Sequence, residues 1–450
     1  MRIAHTHSPF AATADASASD GQRARLPMAE TVLFVAAALL YWTDILRLLF
    51  PGTDGTSAVF RLTHFAFYAL FVAAITRDLS AFARALASAW LLVILLLMTL
   101  VSTTWSTYPD ETLQRGVALL GSSLFGVYAA TQVSARTTLR LLGLTSTIAA
   151  ALGLVLIALV PSMGLMSEGE YVNVWSGAWI HKNGMGQMCG LGALICLIVL
   201  MADGVRRNPL LVVGLALNLF LLAGSRSLTS QLVTVVSVVM LFTVGQWLRF
   251  VVRNAVVIGL LAAGPLVYAA ATLSLDDALG LLTSFGKDAT LSSRLPLWQI
   301  LVDFISERFW LGYGYEAFFV EDHYATRIIE SRLHFRPYYS HNGYIELWLA
   351  LGAVGFALMA ALFLRFTWLA GRMLYRDDRA PQFLLAVIYV PIFLLQNTAE
   401  VTILQRNSMS WILFVMLYVY VALAARDDRL GRSLSVSRAS QPMPRRLSVA

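Results

Sequence analysis

The chain has 450 residues, 58% of them hydrophobic and only 13% charged, with a net charge of +7 and a mean hydropathy of +0.69. That is more apolar surface than a soluble fold of this length can bury, which excludes a soluble protein and predicts a polytopic membrane protein. The positive balance reads as a topology signal, because short loops rich in Arg and Lys stay in the cytoplasm, and it gives no support to nucleic-acid binding.

In chain order, residues 1–28 carry alanines, serines and arginines without an apolar run. They predict a disordered cytoplasmic tail, not a cleaved signal. A spanning helix needs roughly 17 to 25 mostly apolar residues, and about twelve stretches qualify on that measure. Nine lie in 29–275, near 29–50, 57–76, 86–103, 113–132, 138–160, 184–202, 208–223, 227–248 and 253–275; three lie in 343–425, near 343–369, 382–400 and 407–425. Runs such as TVLFVAAALL and LVTVVSVVMLF are unbroken and lack the period-two alternation of barrel strands, so the expected class is all-α. Cys189 and Cys196 fall in the sixth span and read as small packing residues.

With the N-terminus inside, the inner loops receive most of the basic residues, from Arg77 and Arg84 through Arg136, Arg140, Arg206 and Arg207 to Arg365, Arg372 and Arg376. The basic tail 426–450 then ends in the cytoplasm, where it can also touch anionic headgroups. The connection between spans nine and ten, 276–342, is the long one and falls on the outer face, and a loop that long beside short ones is usually functional. Asp276 and Asp277 at its start read as the end of span nine. Within it, PLWQILVDFISERFWLG repeats apolar residues at Leu297, Ile300, Leu301, Phe304 and Ile305, one face of a helix. Trp298 and Trp310 bracket that stretch, which suits a helix in the headgroup layer. Gly312 and Gly314 of GYGY then predict a tight turn.

The ionisable residues outside the inner loops collect on the outer side. Arg115 opens span four, Lys182 and Asn183 stand in HKNG before span six, Arg226 sits in the short GSRS connection, and Arg294 lies in SSRLPLW. His341 precedes span ten with Asn342 and Gly343, Glu346 lies a turn further in, and Glu400 and Arg406 flank the last outer loop. Solvation accounts for any one of these charges, but charges held close to hydrocarbon mark functional sites. Arginine presents a planar fork suited to phosphate oxygens, and histidine can take a proton from a hydroxyl near neutral pH. Together they suit glycosyl transfer from a lipid diphosphate, with arginine as counter-charge and no metal or other cofactor required. Asn342 is placed to cap the helix start, and Gly343 to let the chain turn.

These motifs resemble the O-antigen ligase and Wzy-type polysaccharide polymerase superfamily. GSRS is similar to its Ser-Arg segment, SSRLPLWQILVDFISERFWLGYGYEAFF to its Arg, Trp and Gly-x-Gly stretch, and SHNGYIELWLALGAVG to its most recognisable signature. WSGAWIHKNGMGQ resembles a stretch of exopolysaccharide polymerases, and Trp105 with Ser106 also fits. The resemblance implies a metal-independent, inverting glycosyltransferase of the bacterial inner membrane with its active site facing the periplasm. Its donor would be an undecaprenyl-diphosphate-linked glycan and its partners a glycan acceptor, the lipid bilayer and polysaccharide export components. By the same resemblance Arg226 and Arg294 grip the diphosphate with Arg115 and Lys182 in support, His341 is the base or its positioner, and Asn342, Gly312, Gly314 and Asn183 shape the site. The HKNG stretch favours a polymerase over a ligase acting on lipid A-core. A transporter or flippase is the competing class, but such proteins put ionisable groups near the midplane and often carry inverted repeats. The span centres here are nearly free of charge. An export-complex subunit without activity of its own is the third reading.

Overall fold

The computed structural model describes residues 27–52, 57–167, 172–253, 289–320, 323–377 and 380–439. Among these the regular structure is helical, and β-type pairing amounts to an isolated bridge between Leu165 and Trp175. The helices are α1 (Met28–Trp42), α2 (Ala58–Ile75), α3 (Leu79–Ser88), α4 (Trp90–Val101), α5 (Pro109–Gln132), α6 (Ala135–Leu159), α7 (Lys182–Asp203), α8 (Pro209–Gly224) and α9 (Leu228–Arg253). After the long connection come α10 (Ala289–Glu307), α11 (Tyr324–Leu333), α12 (Gly343–Arg376), α13 (Pro381–Gln396) and α14 (Met409–Ala439).

Each predicted span except the ninth falls on these helices; the ninth, with Asp276 and Asp277, lies outside the described residues. Among the described residues, Ala58–Ser88, Ala135–Leu159, Lys182–Asp203, Gly343–Arg376 and Met409–Gly431 are long and apolar enough to cross a membrane, and shorter apolar helices pack beside them. The chain is an all-α polytopic membrane protein.

α14 is the central strut. From Trp411 to Tyr418 every side chain is buried, as expected of a helix that is apolar all round and surrounded by protein. It packs against α5, α12, α13 and α3. The α5 contact is close enough that a Cβ on Gly126 would stand 2.9 Å from the Ile412 carbonyl oxygen, so a small residue is needed there. At the end of the bundle read as cytoplasmic, Asp203 of α7 accepts from Arg140 at 2.6 Å and faces Arg136 at 3.4 Å, tying α6 to α7. Asp428 likewise joins Arg372 and Arg376, tying α12 to α14. Several arginines that signal topology therefore also cross-link helices.

The predicted boundaries need three corrections. The first span ends at Trp42 rather than near 50, because the Asp44 N–H donates to Ala178 O at 3.0 Å and the chain turns into a short helix, Ile45–Leu49. The tenth is broken at Gly352, where φ is 63° and ψ −163°. The apolar stripe of α10 does not lie on lipid headgroups, for Leu297, Ile300, Leu301 and Phe304 are buried with Tyr313, Phe318, Ala325, Ile329 and Leu349 in a second, smaller core. An apolar face looks the same in sequence whether lipid or protein covers it.

Candidate active site

The break in α12 releases backbone groups that must find partners inside the protein. The long connection supplies them. Tyr313 N–H donates to Leu349 O at 2.7 Å and Gly314 N–H to Ala350 O at 3.1 Å, while Ala353 and Val354 donate to Phe309 O and Trp310 O at 2.8 and 3.2 Å. The opposite edge of the same stretch meets the end of α4: Trp105 Nε1 donates to Leu311 O at 3.0 Å, Thr107 N–H to Tyr313 O at 3.1 Å, and Tyr315 N–H to Ser102 Oγ at 3.0 Å. Gly312 N–H closes a turn onto Arg308 O at 3.0 Å and Gly314 O opens another to Ala317 N–H at 3.1 Å, as the GYGY sequence predicts. The two glycines also let this irregular segment lie between two helices at contact distance, and it delivers Tyr315 and Glu316 to one end of the bundle.

There a cavity of about 580 Å³ opens, lined among others by Arg115, Asn183, Glu316, Tyr339, Glu400 and Arg406. Arg406 pairs with Glu316 at 2.7 Å, and that carboxylate holds the guanidinium pKa up against the opposing effect of burial. Arg115 also reaches Glu316, through the backbone carbonyl, and pairs with Glu111 at 2.9 Å. On the other side Glu400 accepts from Asn183 Nδ2 at 2.9 Å and faces Arg294 at 3.7 Å, and Arg294 donates to Ala399 O at 2.7 Å. Burial pushes the Glu400 carboxyl up, against the opposing pull of Arg294 and the Asn183 bond. Asn183 and Gly184 belong to the first turn of α7, whose N-terminus adds partial positive charge where they line the cavity.

His341 stands beside this cluster. Its ring stacks obliquely on Tyr339 at 4.2 Å, and burial first, then the charges of Arg294 and His181, lower its pKa to about 4. Its Nδ1 is buried and, among the described residues, has no hydrogen-bond partner. The turn is made by His341 itself, at φ 55°. Asn342 caps α12 as expected, accepting from Tyr344 and Ile345 N–H at 3.0 and 3.2 Å. Gly343 serves closeness, not turning: a Cβ there would meet Asn397 Oδ1 at 1.9 Å. The Glu346 carboxylate reaches back to Ser340 N–H at 2.9 Å, and Trp298 of α10 donates to Ser340 O at 2.8 Å, so the SHNG segment is fixed from both sides.

Positive φ at residues other than glycine collects here. Glu316, His341, Leu404 and Asn407 lie at φ between 51° and 56°, and Arg226 at 49°. Such conformations cost energy and persist where surrounding contacts over-determine them, which is common at functional sites.

Residues 210–360 match the family model described as O-antigen ligase. That segment holds GSRS, Arg294, the GYGY stretch and His341. Over that segment, a third of its length, the chain is similar to the O-antigen ligase family. It is also 25% identical over 293 residues to the exopolysaccharide production protein ExoQ of Rhizobium meliloti (strain 1021), a match covering 62% of this chain and 64% of that relative, short of two thirds of its length.

Of the residues that the family resemblance singles out, Arg294 and Asn183 meet at Glu400, His341 lies close enough to Arg294 to feel its charge, and Arg115 lines the cavity with Asn183. Lys182 adjoins them in sequence beside His181, which caps α7 by accepting from Asn183 N–H at 3.2 Å. Arg226 is exposed in its turn, and the turn itself packs on α7, a Cβ on Gly186 falling 2.9 Å from Ser225 Oγ. Four contributors escape a reading of motifs. Glu316 follows GYGY inside a quoted motif that gives it no role, Asn407 sits in a loop without a recognisable pattern, and Asp44 and His64 look like parts of apolar spans. The signal that does single out two others is position: Glu400 and Arg406 share the outer side with every predicted site residue.

Proposed function

We propose that the chain is a membrane glycosyltransferase that moves a glycan from undecaprenyl diphosphate to an acceptor sugar hydroxyl at the periplasmic face, as an exopolysaccharide-type polymerase. The observation that carries this reading is a half-buried His341 on which the charges of Arg294 and His181 both act, beside the cavity that His181 and Tyr339 line. The acceptor hydroxyl gives its proton to His341 as its oxygen attacks the anomeric carbon. The bond from that carbon to the diphosphate oxygen breaks on the opposite side, so the configuration inverts. Arg294, with Arg226, Arg115 and Lys182, takes up the charge of the departing undecaprenyl diphosphate, so the reading needs no metal.

A polymerase is favoured over a ligase by the HKNG stretch and by the similarity to an exopolysaccharide production protein. Glycan analysis of a deletion strain separates the two. Single lipid-linked repeat units accumulate if the chain polymerises, whereas full-length lipid-linked chains beside bare lipid A-core accumulate if it ligates. Unchanged glycans in all three pools would refute both.

Arg294→Lys tests the diphosphate grip. A lysine keeps one charge but cannot both hold Ala399 O and present a second N–H in the geometry of a fork. Turnover of purified protein falls roughly 100-fold with the protein still folded in detergent. An activity within twofold of the parent would remove Arg294 from the donor site.

A further inference from the structure

At the other end of the bundle a second cavity, of about 410 Å³, is lined by Ser88, Trp90, Arg365, Arg426, Arg429 and Leu430, among others. Its distance from the first follows from α14, which carries Met409 at the candidate active site and Arg426 here. The helical rise places these roughly 25 Å apart, near the thickness of a bilayer's hydrocarbon core.

The charge around this crevice is one-sided. Arg365 donates to Ser88 O at 2.7 Å and to the Tyr418 hydroxyl, and its guanidinium lies 5.8 Å from the Trp90 ring centre. Arg426 donates to Arg84 O at 3.3 Å. Among the described residues, none of Arg365, Arg426 and Arg429 forms an ion pair with a carboxylate. Their neighbours Arg372 and Arg376 behave differently, both pairing with Asp428. Three guanidiniums converging on one hollow without a counter-ion repel one another, and a protein tolerates that where an anion completes the group. The rim identifies what carries the anion. Trp90 and Leu430 are 49% and 52% exposed, and an exposed tryptophan beside arginines at the end of a membrane bundle marks the headgroup level.

We infer that this crevice binds the phosphate of an anionic lipid headgroup in the leaflet opposite the candidate active site. Arg426 and Arg429 reach the phosphate oxygens from α14, Arg365 supports them from α12, and Trp90 and Leu430 lie against the glycerol and upper acyl chain. Lipid bound there bridges α3, α4, α12 and α14, and at their far ends α12 begins at the SHNG segment and α14 just after Arg406.

The test uses full-length protein in nanodiscs of phosphatidylcholine alone or with added phosphatidylglycerol, and reads by native mass spectrometry the phosphatidylglycerol retained per protein after release. Arg426→Gln/Arg429→Gln is the informative variant, since both positions lie near the surface and neither belongs to the reaction site. Its expected apparent affinity for phosphatidylglycerol is about thirtyfold weaker, roughly fivefold for each guanidinium lost. Arg206→Gln/Arg207→Gln, which removes the same charge from another exposed loop at that end, retains the lipid as the parent does. Equal retention by the Arg426/Arg429 variant, or equal loss by both variants, would overturn the site. So would protein in phosphatidylcholine discs that binds free inorganic phosphate at the crevice as tightly as it binds phosphatidylglycerol, since the ligand would then be a soluble anion.

Discussion

Replacing His341 by alanine lowers turnover of a lipid-linked glycan roughly 1,000-fold, within the range that a positioned general base contributes, while the protein reaches the membrane folded. His341 is half-buried, it sits at the tip of a left-handed turn, and its Nδ1 is free of hydrogen bonds among the described residues. Those features leave the ring available to an incoming group and not committed to holding the fold. The pH dependence makes the assignment sharper. Burial, Arg294 and His181 all disfavour the imidazolium in the empty protein, which brings the pKa to about 4, so the ring is neutral across the physiological range. A bound diphosphate offsets the two cationic contributions and moves the pKa back towards the ordinary value. The acid limb of kcat/KM, which reports the free enzyme, therefore falls only as the pH drops through about 4, and the acid limb of kcat lies higher. Both limbs vanish in His341→Ala. A variant with undiminished kcat, or a parent whose two limbs coincide, would show that His341 does not carry the proton.

How much of this was legible beforehand divides along physical lines. Hydropathy places a helix wherever roughly twenty apolar residues run together, and most helices of the bundle fall on such runs, whereas α3 fills the gap between two of them. The motifs around Arg294 and His341 were readable because arginine and histidine are costly next to hydrocarbon and so stand out. Three things were not readable. The interruption of α12 depends on Gly352, which looks like any glycine in an apolar helix until the chain at Phe309–Gly314 is seen to bond with it. The partnership of Glu400 with Asn183 and Arg294, and of Arg406 with Glu316, joins residues up to hundreds of positions apart, for which a single sequence holds no signal. Arg226 stood out for the same reason as Arg294, but the tightness of its turn did not reveal that its side chain lies exposed.

Gly312→Ala is expected to destabilise the protein by about 3 kcal/mol or more, because it strikes the join between the long connection and the broken helix. Gly312 has φ 65°, and an alanine Cβ there would stand 2.5 Å from Leu349 O and 2.8 Å from the Ala350 carbonyl carbon, both backbone atoms that cannot swing aside. The segment would have to lift, breaking the bonds from Tyr313 and Gly314 to Leu349 and Ala350 and leaving those carbonyls unpaired in an apolar surrounding. Gly204→Ala supplies the comparison. Gly204 also has positive φ, at 88°, but nothing lies within 4 Å of the Cβ it would gain, so that substitution adds no clash and costs backbone strain of about 1–3 kcal/mol. Thermal melting in detergent separates the two, with Gly312→Ala melting below Gly204→Ala and Gly204→Ala between it and the parent. Activity follows the same order, since Tyr315 and Glu316 reach the cavity only while the segment is docked. Two variants that melt together and work equally well would mean that the GYGY segment does not depend on its contact with α12, and that the cavity is held open by other means.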